Sequence, residues 1–142
     1  MIRSTAAKYR NIGILILRIG LGIMFVFHGY PKLFGGPESW EQVGSAMQVI
    51  GIESLPIVFG FLAAIAEFFG GLCLIFGLYF KTALSALMVV MVVATIYHIA
   101  AGDSFARISH PIEVFVVLVS LLFLGTGRPN LDRTLKRRRR RW

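Results

Sequence analysis

Ionisable side chains occupy five positions inside long apolar stretches of this chain, namely Arg18, His28, Glu67, His98 and Glu113. Such groups are costly in hydrocarbon, so in membrane proteins they usually turn into the bundle interior and mark a ligand or proton pathway. A carboxylate can take up and release a proton, while arginine and histidine side chains can donate hydrogen bonds to a bound oxygen. These residue types therefore predict a polar pocket suited to proton transfer, formed where helices bring the side chains together.

The elements that must position these side chains are membrane-spanning helices. Of the 142 residues, 56% are hydrophobic and only 15% are charged, whereas soluble domains average about 45–50% apolar and about 25% charged residues. Stretches close to the ~20 apolar residues that cross a bilayer cover residues 12–30, 56–78, 80–100 and 111–125. We predict an all-α integral membrane four-helix bundle over residues 1–132 and a polybasic tail over residues 133–142. A soluble bundle of very apolar helices is the alternative, and the absence of a polar helix face argues against it.

Positive charge predicts the orientation, because Lys and Arg collect in cytoplasmic segments. One side of the predicted bundle carries Arg3, Lys8, Arg10, Lys81 and the arginine-rich stretch from Arg128 to Arg141. The opposite side carries only Lys32 and Arg107. Both termini are therefore predicted to be cytoplasmic. The tail is expected to contact anionic lipid headgroups of the bilayer, and no nucleic-acid partner is predicted.

A long outer loop joins the first two predicted helices and contains "ESWEQVGSAMQVIG". Ser39 and Gln42 fit a capping box at a helix start. Apolar residues then recur at helical spacing, at Trp40, Val43, Met47 and Ile50. We predict a short amphipathic helix that lies on the outer face or folds into it, either as a lid or as a passive interfacial helix.

The surroundings of Glu67 predict that it faces the bundle interior. Its helical face carries the small residues Gly60, Ala63, Ala64, Gly70 and Gly71. Small residues let membrane helices approach closely. At about 1.5 Å rise per residue, Glu67 and Glu113 lie at similar depth, and Arg18 lies roughly two turns nearer the cytoplasm. Arg18 is therefore predicted to pair with Glu67 or Glu113, with His28 and His98 in the layer above. The alternative is that these groups only lock the helices together.

A metal site is not predicted from these residues. Neither Glu-x-x-His nor His-x-x-x-His occurs on a predicted helix, although such spacings build carboxylate-bridged metal sites in helix bundles. The charge of Arg18 would also repel a cation. His110 and Asp103 are placed in the outer loop, where they are expected to be solvated.

Several motifs resemble the DoxX family of small bacterial membrane proteins. They are "LRIGLGIMFVFHGYPKLFG", "FLAAIAEFFGGLCLIFGL", His98 before Gly102, and "HPIEVFVVLVSLLFLGTGRPNLD". The resemblance implies a multi-pass protein of the bacterial inner membrane with a link to respiratory redox chemistry, quinone-coupled oxidoreductases or oxidative-stress enzymes. The single cysteine, Cys73, argues against a thiol relay. Motifs for haem, flavin or nucleotide binding do not occur, so no intrinsic cofactor is predicted and the electron carrier would be a bound quinone or lie on a partner.

The resemblance and the residues together favour a membrane subunit or accessory of a quinone-linked redox complex. In that hypothesis Glu67 and Glu113 are the catalytic proton-transfer groups, and the quinone-binding groups are Arg18, His28, Lys32 and His98. The alternatives are a non-enzymatic assembly or scaffold protein and a small-solute or proton carrier. Partner subunits of a redox enzyme are expected, and both a homo-oligomer and catalysis by the chain itself are left open.

Overall fold

The computed structural model describes residues 2–129, with side chains described from Thr5 onward, and this part of the chain folds into helices without any strand. The elements are α1 (Ile2–Phe34), α2 (Gly36–Gly44), a 3-10 helix (Ser45–Ile50), α3 (Pro56–Phe76), α4 (Phe80–Ala100) and α5 (Phe105–Leu124). The predicted polybasic tail over residues 133–142 lies outside the described residues.

Four of these helices are long and apolar enough to cross a membrane: α1 from Thr5 onward, α3, α4 and α5. This confirms the predicted all-α four-helix membrane bundle. Two boundaries differ, because α1 continues through Pro31 to Phe34 and α5 begins before Pro111. An internal proline removes one backbone hydrogen bond and its ring crowds the carbonyl four residues earlier, so it can kink a helix without ending it. The carbonyl of Ser104 accepts the N–H groups of Arg107 and Ile108, so the first turn of α5 is formed ahead of the proline.

The first part of α1, the start of α4 and the segment after α5 lie at the same end of the bundle. Arg10 of α1, Thr82 of α4 and Arg128 after α5 line the same cleft there. The turn between α3 and α4 is tight, with Gly77 at φ 64° and Tyr79 at φ 44°, both in the left-handed region. The basic residues on this face identify it as the predicted cytoplasmic side. We call it the basic face, and the opposite end the outer face.

The pair α1–α3 is the most extensive helix contact, and glycines allow it. An added Cβ at Gly22 would lie 2.7 Å from the carbonyl oxygen of Gly71, and one at Gly29 would lie 2.5 Å from the amide nitrogen of Phe68. The two backbones therefore touch along the small-residue face that the sequence predicted for Glu67. Glu67 is carried into this contact and is only 3% exposed.

The predicted amphipathic segment is confirmed as a helix, although its start is not the predicted one. α2 begins at Gly36 after the cap position Gly35, and Ser39 makes no capping hydrogen bond. The reason is that Pro37 occupies the first turn, where a missing N–H costs nothing. α2 crosses the start of α3, with Gly44 packed on Pro56 and Gly60 packed on Trp40. The Trp40 indole also donates a hydrogen bond to the Leu33 carbonyl at 3.2 Å.

Gly60→Ala is expected to lower the unfolding free energy of the protein by roughly 1–3 kcal/mol, the usual cost of overpacking. An added methyl group would overlap the carbonyl oxygen of Trp40 on α2, and backbone cannot move aside cheaply. Gly20→Ala is the matched control, because an added Cβ at Gly20 meets nothing within 4 Å. Thermal unfolding in detergent, followed by circular dichroism, should show a lower Tm for Gly60→Ala alone. Equal melting of the two variants would contradict this packing.

The other helix contacts leave one side of the bundle weakly closed. α3 packs on α4 and α4 packs on α5, around a core of buried residues that includes Leu74, Leu84, Leu87, Leu118 and Leu121. α1 and α5 touch only slightly. We call this contact the α1–α5 seam. It is the least extensive contact between adjacent spanning helices of the bundle.

Candidate ligand-binding site between the helices

A cavity of about 310 Å³ lies between α1, α3, α4 and α5 in the half of the bundle nearer the outer face. Its polar lining consists of His28, Lys32, Glu67, His98, Arg107 and His110. The apolar lining consists of Leu21, Met24, Phe25, Met91, Ala94, Pro111 and Val114. Ligand pockets typically measure about 300–1,000 Å³ and combine apolar walls with a few polar groups. The cavity therefore has the size and composition of a small-ligand site.

An ion pair forms the deepest polar feature of the cavity. The Lys32 ammonium donates to both carboxylate oxygens of Glu67, each at 2.7 Å. The Lys32 side chain is 33% exposed, whereas that of Glu67 is 4% exposed. Lys32 reaches Glu67 only because α1 stays helical past Pro31, which places it above the glycine contact with α3. The pair presents one accessible cation above a buried anion.

His98 enters the cavity from the end of α4, held by the loop that follows. Its Nδ1 atom lies 2.8 Å from Oδ2 of Asp103, and Arg107 donates to Oδ1 of Asp103 at 2.9 Å. Hydrogen bonds from His98 and then Arg107 hold the pKa of Asp103 below its usual value. With Nδ1 engaged, Nε2 is the ring nitrogen left for a ligand. The expectation that Asp103 would be merely solvated is therefore wrong.

Asp103→Asn is expected to remove the acid sensitivity that Asp103 gives to the α4–α5 loop. Because the folded-state pKa is lowered, this stabilisation is complete above the ordinary aspartate value of about 3.9. It is lost as the pH falls through the lowered pKa. Melting temperatures in detergent, measured from about pH 3 to about pH 7, should fall less steeply in acid for Asp103→Asn than for the wild type. Glu53→Gln, an exposed carboxylate in the same outer region, is the control. Identical acid slopes for wild type and Asp103→Asn would count against this network.

Two histidines flank the α1–α5 seam at the rim of the cavity. The rings of His28 on α1 and His110 on α5 are 6.3 Å apart between centroids, and both side chains are exposed. His110 belongs to α5, so its predicted place in the outer loop is wrong. Both rings line the cavity and also reach the outer surface of the bundle. They form a polar rim where the cavity approaches the membrane.

Arg18 lies outside this cavity, and its predicted pairing with a glutamate is wrong. The guanidinium donates to the carbonyls of Thr126 at 2.8 Å and Pro129 at 2.9 Å, and more weakly to Ile75 at 3.4 Å. Arg18 is 2% exposed. The carbonyls accept from the two terminal nitrogens of the planar guanidinium, whereas its buried Nε–H has no hydrogen-bond partner among the described residues. Arg18 therefore fastens the segment after α5 to the bundle, away from the predicted ligand-binding groups.

Glu113 also departs from its predicted position. Its side chain is exposed on the outer wall of α5 and does not line the cavity. Its neighbours Ile112 and Val116 are 42% and 57% exposed, so it stands on an apolar surface. The reason is the rotation of α5 about its own axis. Its buried residues are Pro111, Leu118 and Leu121, and Glu113 lies on a different side of the helix. The predicted catalytic role of Glu113 within the cavity is thus not supported by its position.

The structure brings together four of the predicted site residues, His28, Lys32, Glu67 and His98, and adds Arg107 and His110. Within residues 2–129, no group of three or more His, Cys, Asp or Glu side chains converges in the way a metal site requires. The gathered set holds two basic residues, Lys32 and Arg107, three histidines and one carboxylate, Glu67. It is suited to hydrogen-bonding and protonating an oxygen-bearing ligand.

The family model of DoxX matches residues 13–100, which is more than half of the chain. The chain belongs to the DoxX family. A relative, inner membrane protein YqjF of Escherichia coli (strain K12), is 28% identical over 134 residues, covering 92% of this chain and 98% of the relative. No solved structure matches the chain significantly. With four helices of spanning length, this DoxX protein is a multi-pass membrane protein, in agreement with the predicted bacterial inner membrane.

Two cavity residues of this DoxX protein, Arg107 and His110, were missed by sequence reasoning. The fourth span was predicted over residues 111–125 with an earlier start left open, and both residues were assigned to the loop. The available signal was Ser104, a favourable residue to precede a helix, followed by Phe105 and Ile108 at helical spacing. A helix start at that point would have placed Arg107, His110 and Val114 on one face.

Proposed function

We propose that this DoxX protein is a membrane subunit or accessory of a quinone-linked redox complex, and that its cavity holds the quinone headgroup. The observation that supports the proposal most is the cavity of about 310 Å³, which joins the Lys32–Glu67 pair to an apolar wall. A quinone headgroup is a flat apolar ring with two carbonyl oxygens. It needs an apolar slot with hydrogen-bond donors at the ends, and the cavity offers both.

The α1–α5 seam supports lateral access from the bilayer. α1 and α5 touch only slightly, and the rim there carries His28 and His110. An isoprenoid quinone is dissolved in the hydrocarbon, so a ligand of this kind would reach the cavity from the membrane rather than from water. Met24 on α1 is 53% exposed and also lines the cavity, which makes the seam an apolar passage below the polar rim.

The residues of the cavity supply hydrogen bonds and protons. Reduction of a quinone consumes two electrons and two protons, and the electrons would come from a partner protein. Lys32 is placed to donate a hydrogen bond to a carbonyl oxygen, and Nε2 of His98 is placed to accept one from the hydroxyl of the reduced ligand, because Nδ1 faces Asp103. Glu67 holds the lysine ammonium in place. Once Lys32 has given its proton to the reduced oxygen, the pair takes up a replacement proton from water at the outer face. The chain thereby binds and orients the ligand and relays protons.

The outer wall of α5 supports the presence of a partner subunit. A carboxylate that faces acyl chains is costly, and Glu113 is exposed among apolar residues of that wall. Contact with a basic or hydrogen-bonding residue of another membrane subunit would remove that cost. The proposed partner therefore packs against α5.

The alternatives receive weaker support. A pure scaffold would be expected to have a solid interior, whereas this bundle contains a cavity with apolar walls and a few polar and charged groups. A carrier needs a path across the bilayer, and in the described residues the cavity does not include Arg18. A buried core that includes Leu74, Leu84 and Leu121 occupies the half of the bundle nearer the basic face. It interrupts a path from the cavity to that face.

The test is binding of short-chain ubiquinone and short-chain menaquinone to the purified protein in lipid nanodiscs. Ala94 lines the cavity, so Ala94→Leu fills it without removing a polar group. Ala100→Leu is the matched control at the exposed end of the same helix. We expect at least tenfold weaker quinone binding for Ala94→Leu and Glu67→Gln, with Ala100→Leu unchanged. Absence of quinone binding to the wild type, or unchanged binding to Ala94→Leu, would refute the proposal.

A further inference from the structure

A second, larger cleft of about 860 Å³ lies at the basic face, between α1, the α3–α4 turn and the segment after α5. Three basic side chains line it, each from a different element: Arg10 of α1, Lys81 of α4 and Arg128 after α5. We call it the basic cleft. It is separate from the cavity discussed above, which lies in the other half of the bundle and has a different set of lining residues.

The positive charge of the basic cleft has no partner among the described residues. The ion pairs of residues 5–129 involve Lys32, His98 and Arg107, all near the outer face. The acidic residues of the same range lie in the bundle interior, on the outer wall of α5 or around the outer face: Glu38, Glu41, Glu53, Glu67, Asp103 and Glu113. Three cations that have no ion-pair partner within residues 5–129, gathered on a concave surface, attract an anion.

The position of the cleft favours an anion that also carries an apolar part. The α3–α4 turn marks the end of two membrane-spanning helices, and Tyr79 in that turn is 69% exposed, as is typical of side chains at the headgroup level. The same cleft is walled by Phe80, Leu122 and Leu124. An anion that matches this lining has a phosphate for the cations and acyl chains for the apolar wall.

We propose that the basic cleft binds the headgroup phosphate of one anionic phospholipid from the leaflet at the basic face. Arg10 and Arg128 are suited to fork-like contact with phosphate oxygens, and Lys81 supplies a point charge. Arg18 contributes indirectly, because its bonds to the carbonyls of Thr126 and Pro129 hold the intervening Arg128 against α1. Gly127 fits closely over Ile14 in the same segment. This site is distinct from nonspecific attraction of lipid by the tail.

The experiment compares retained lipid in the full-length protein, purified in mild detergent from membranes that contain phosphatidylglycerol and phosphatidylcholine. Native mass spectrometry would count bound lipids. The variant is Arg10→Gln with Lys81→Gln, and its charge-matched control is Arg139→Gln with Arg140→Gln in the tail. Because Arg10 and Lys81 are exposed and unpaired in the described fold, circular dichroism should show both variants folded.

We expect one phosphatidylglycerol per chain in the wild type and in the tail control, and at least a fivefold lower occupancy in the cleft variant. Equal occupancy in the cleft variant and the wild type would overturn the proposal. An equal loss in both variants would also overturn it, since that result indicates general surface charge. Full displacement of the lipid by glycerol 3-phosphate would assign the cleft to a soluble phosphate instead. None of these outcomes depends on quinone binding, so the two proposals fail separately.

Discussion

Arg18→Met is expected to lower the unfolding free energy by roughly 2–4 kcal/mol, because hydrogen bonds to a charged group contribute about 1.5–3 kcal/mol each. The carbonyls of Thr126 and Pro129 would lose their donor, and methionine cannot replace it. The segment after α5 should then detach from α1 while the helices stay formed. The measurements are denaturant unfolding in detergent and the rate of protease cleavage near Arg128, which should rise.

Two companion variants separate the hydrogen bonds of Arg18 from its charge. Lys8→Met removes an exposed cation from the same helix and is expected to stay within about 0.5 kcal/mol of the wild type. Arg18→Lys keeps the charge, but a single ammonium does not span the carbonyls that the planar fork reaches. Arg18→Lys should therefore restore less than half of the unfolding free energy that Arg18→Met loses. If Arg18→Met unfolds and is cleaved like Lys8→Met, the fastening role of Arg18 is wrong.

Lys32→Met is expected to destabilise the protein more than Glu67→Gln, although both break the same ion pair. Removing Lys32 leaves a buried carboxylate without a cation, which typically costs about 3–5 kcal/mol. Removing the charge of Glu67 leaves Lys32, whose side chain is 33% exposed and can be solvated in the cavity. That loss should be nearer to about 1–2 kcal/mol. Unfolding free energies of the two single variants in detergent give the comparison.

The double variant Lys32→Met with Glu67→Leu checks the cause of that difference. Replacing both members of a buried ion pair by apolar residues is often neutral or stabilising, so it should be more stable than Lys32→Met alone. Quinone binding should nevertheless be lost, because the polar end of the cavity has gone. If Glu67→Gln destabilises the protein as much as Lys32→Met, the unequal burial of the two charges does not control stability.

The two charged residues that are buried in the described part of the chain, Arg18 and Glu67, are compensated in different ways. This difference separates a structural role from a proposed functional one. Arg18 is enclosed by backbone carbonyls, which gives it a fixed geometry and no contact with the cavity. Glu67 is matched by a lysine that remains partly exposed to the cavity. A ligand can therefore compete for Lys32 but not for Arg18. For this reason the proposed proton relay involves Lys32 and Glu67 alone.

The sequence by itself determined the class of fold and the inward position of Glu67. The length of an apolar stretch is a local property, and it decides whether a helix can cross a bilayer. Glu67 lies on the glycine-rich face of α3, and such a face packs against another helix. The same local reasoning placed His28, Lys32 and His98 near the outer end of the bundle, because rise per residue fixes depth along a helix.

Only the tertiary structure decided what each charge meets, because partners depend on helix rotation and on segments distant in the chain. Arg18 binds carbonyls, which every residue carries, so no sequence pattern marks Thr126 and Pro129 as acceptors. α5 has no small-residue face to fix its rotation, and Glu113 turned outward. Lys32 reached Glu67 because packing against α3 kept α1 helical beyond Pro31. The depth of a side chain along the bundle follows from the rise of its helix, whereas the direction in which it points and the residues it contacts follow from helix packing.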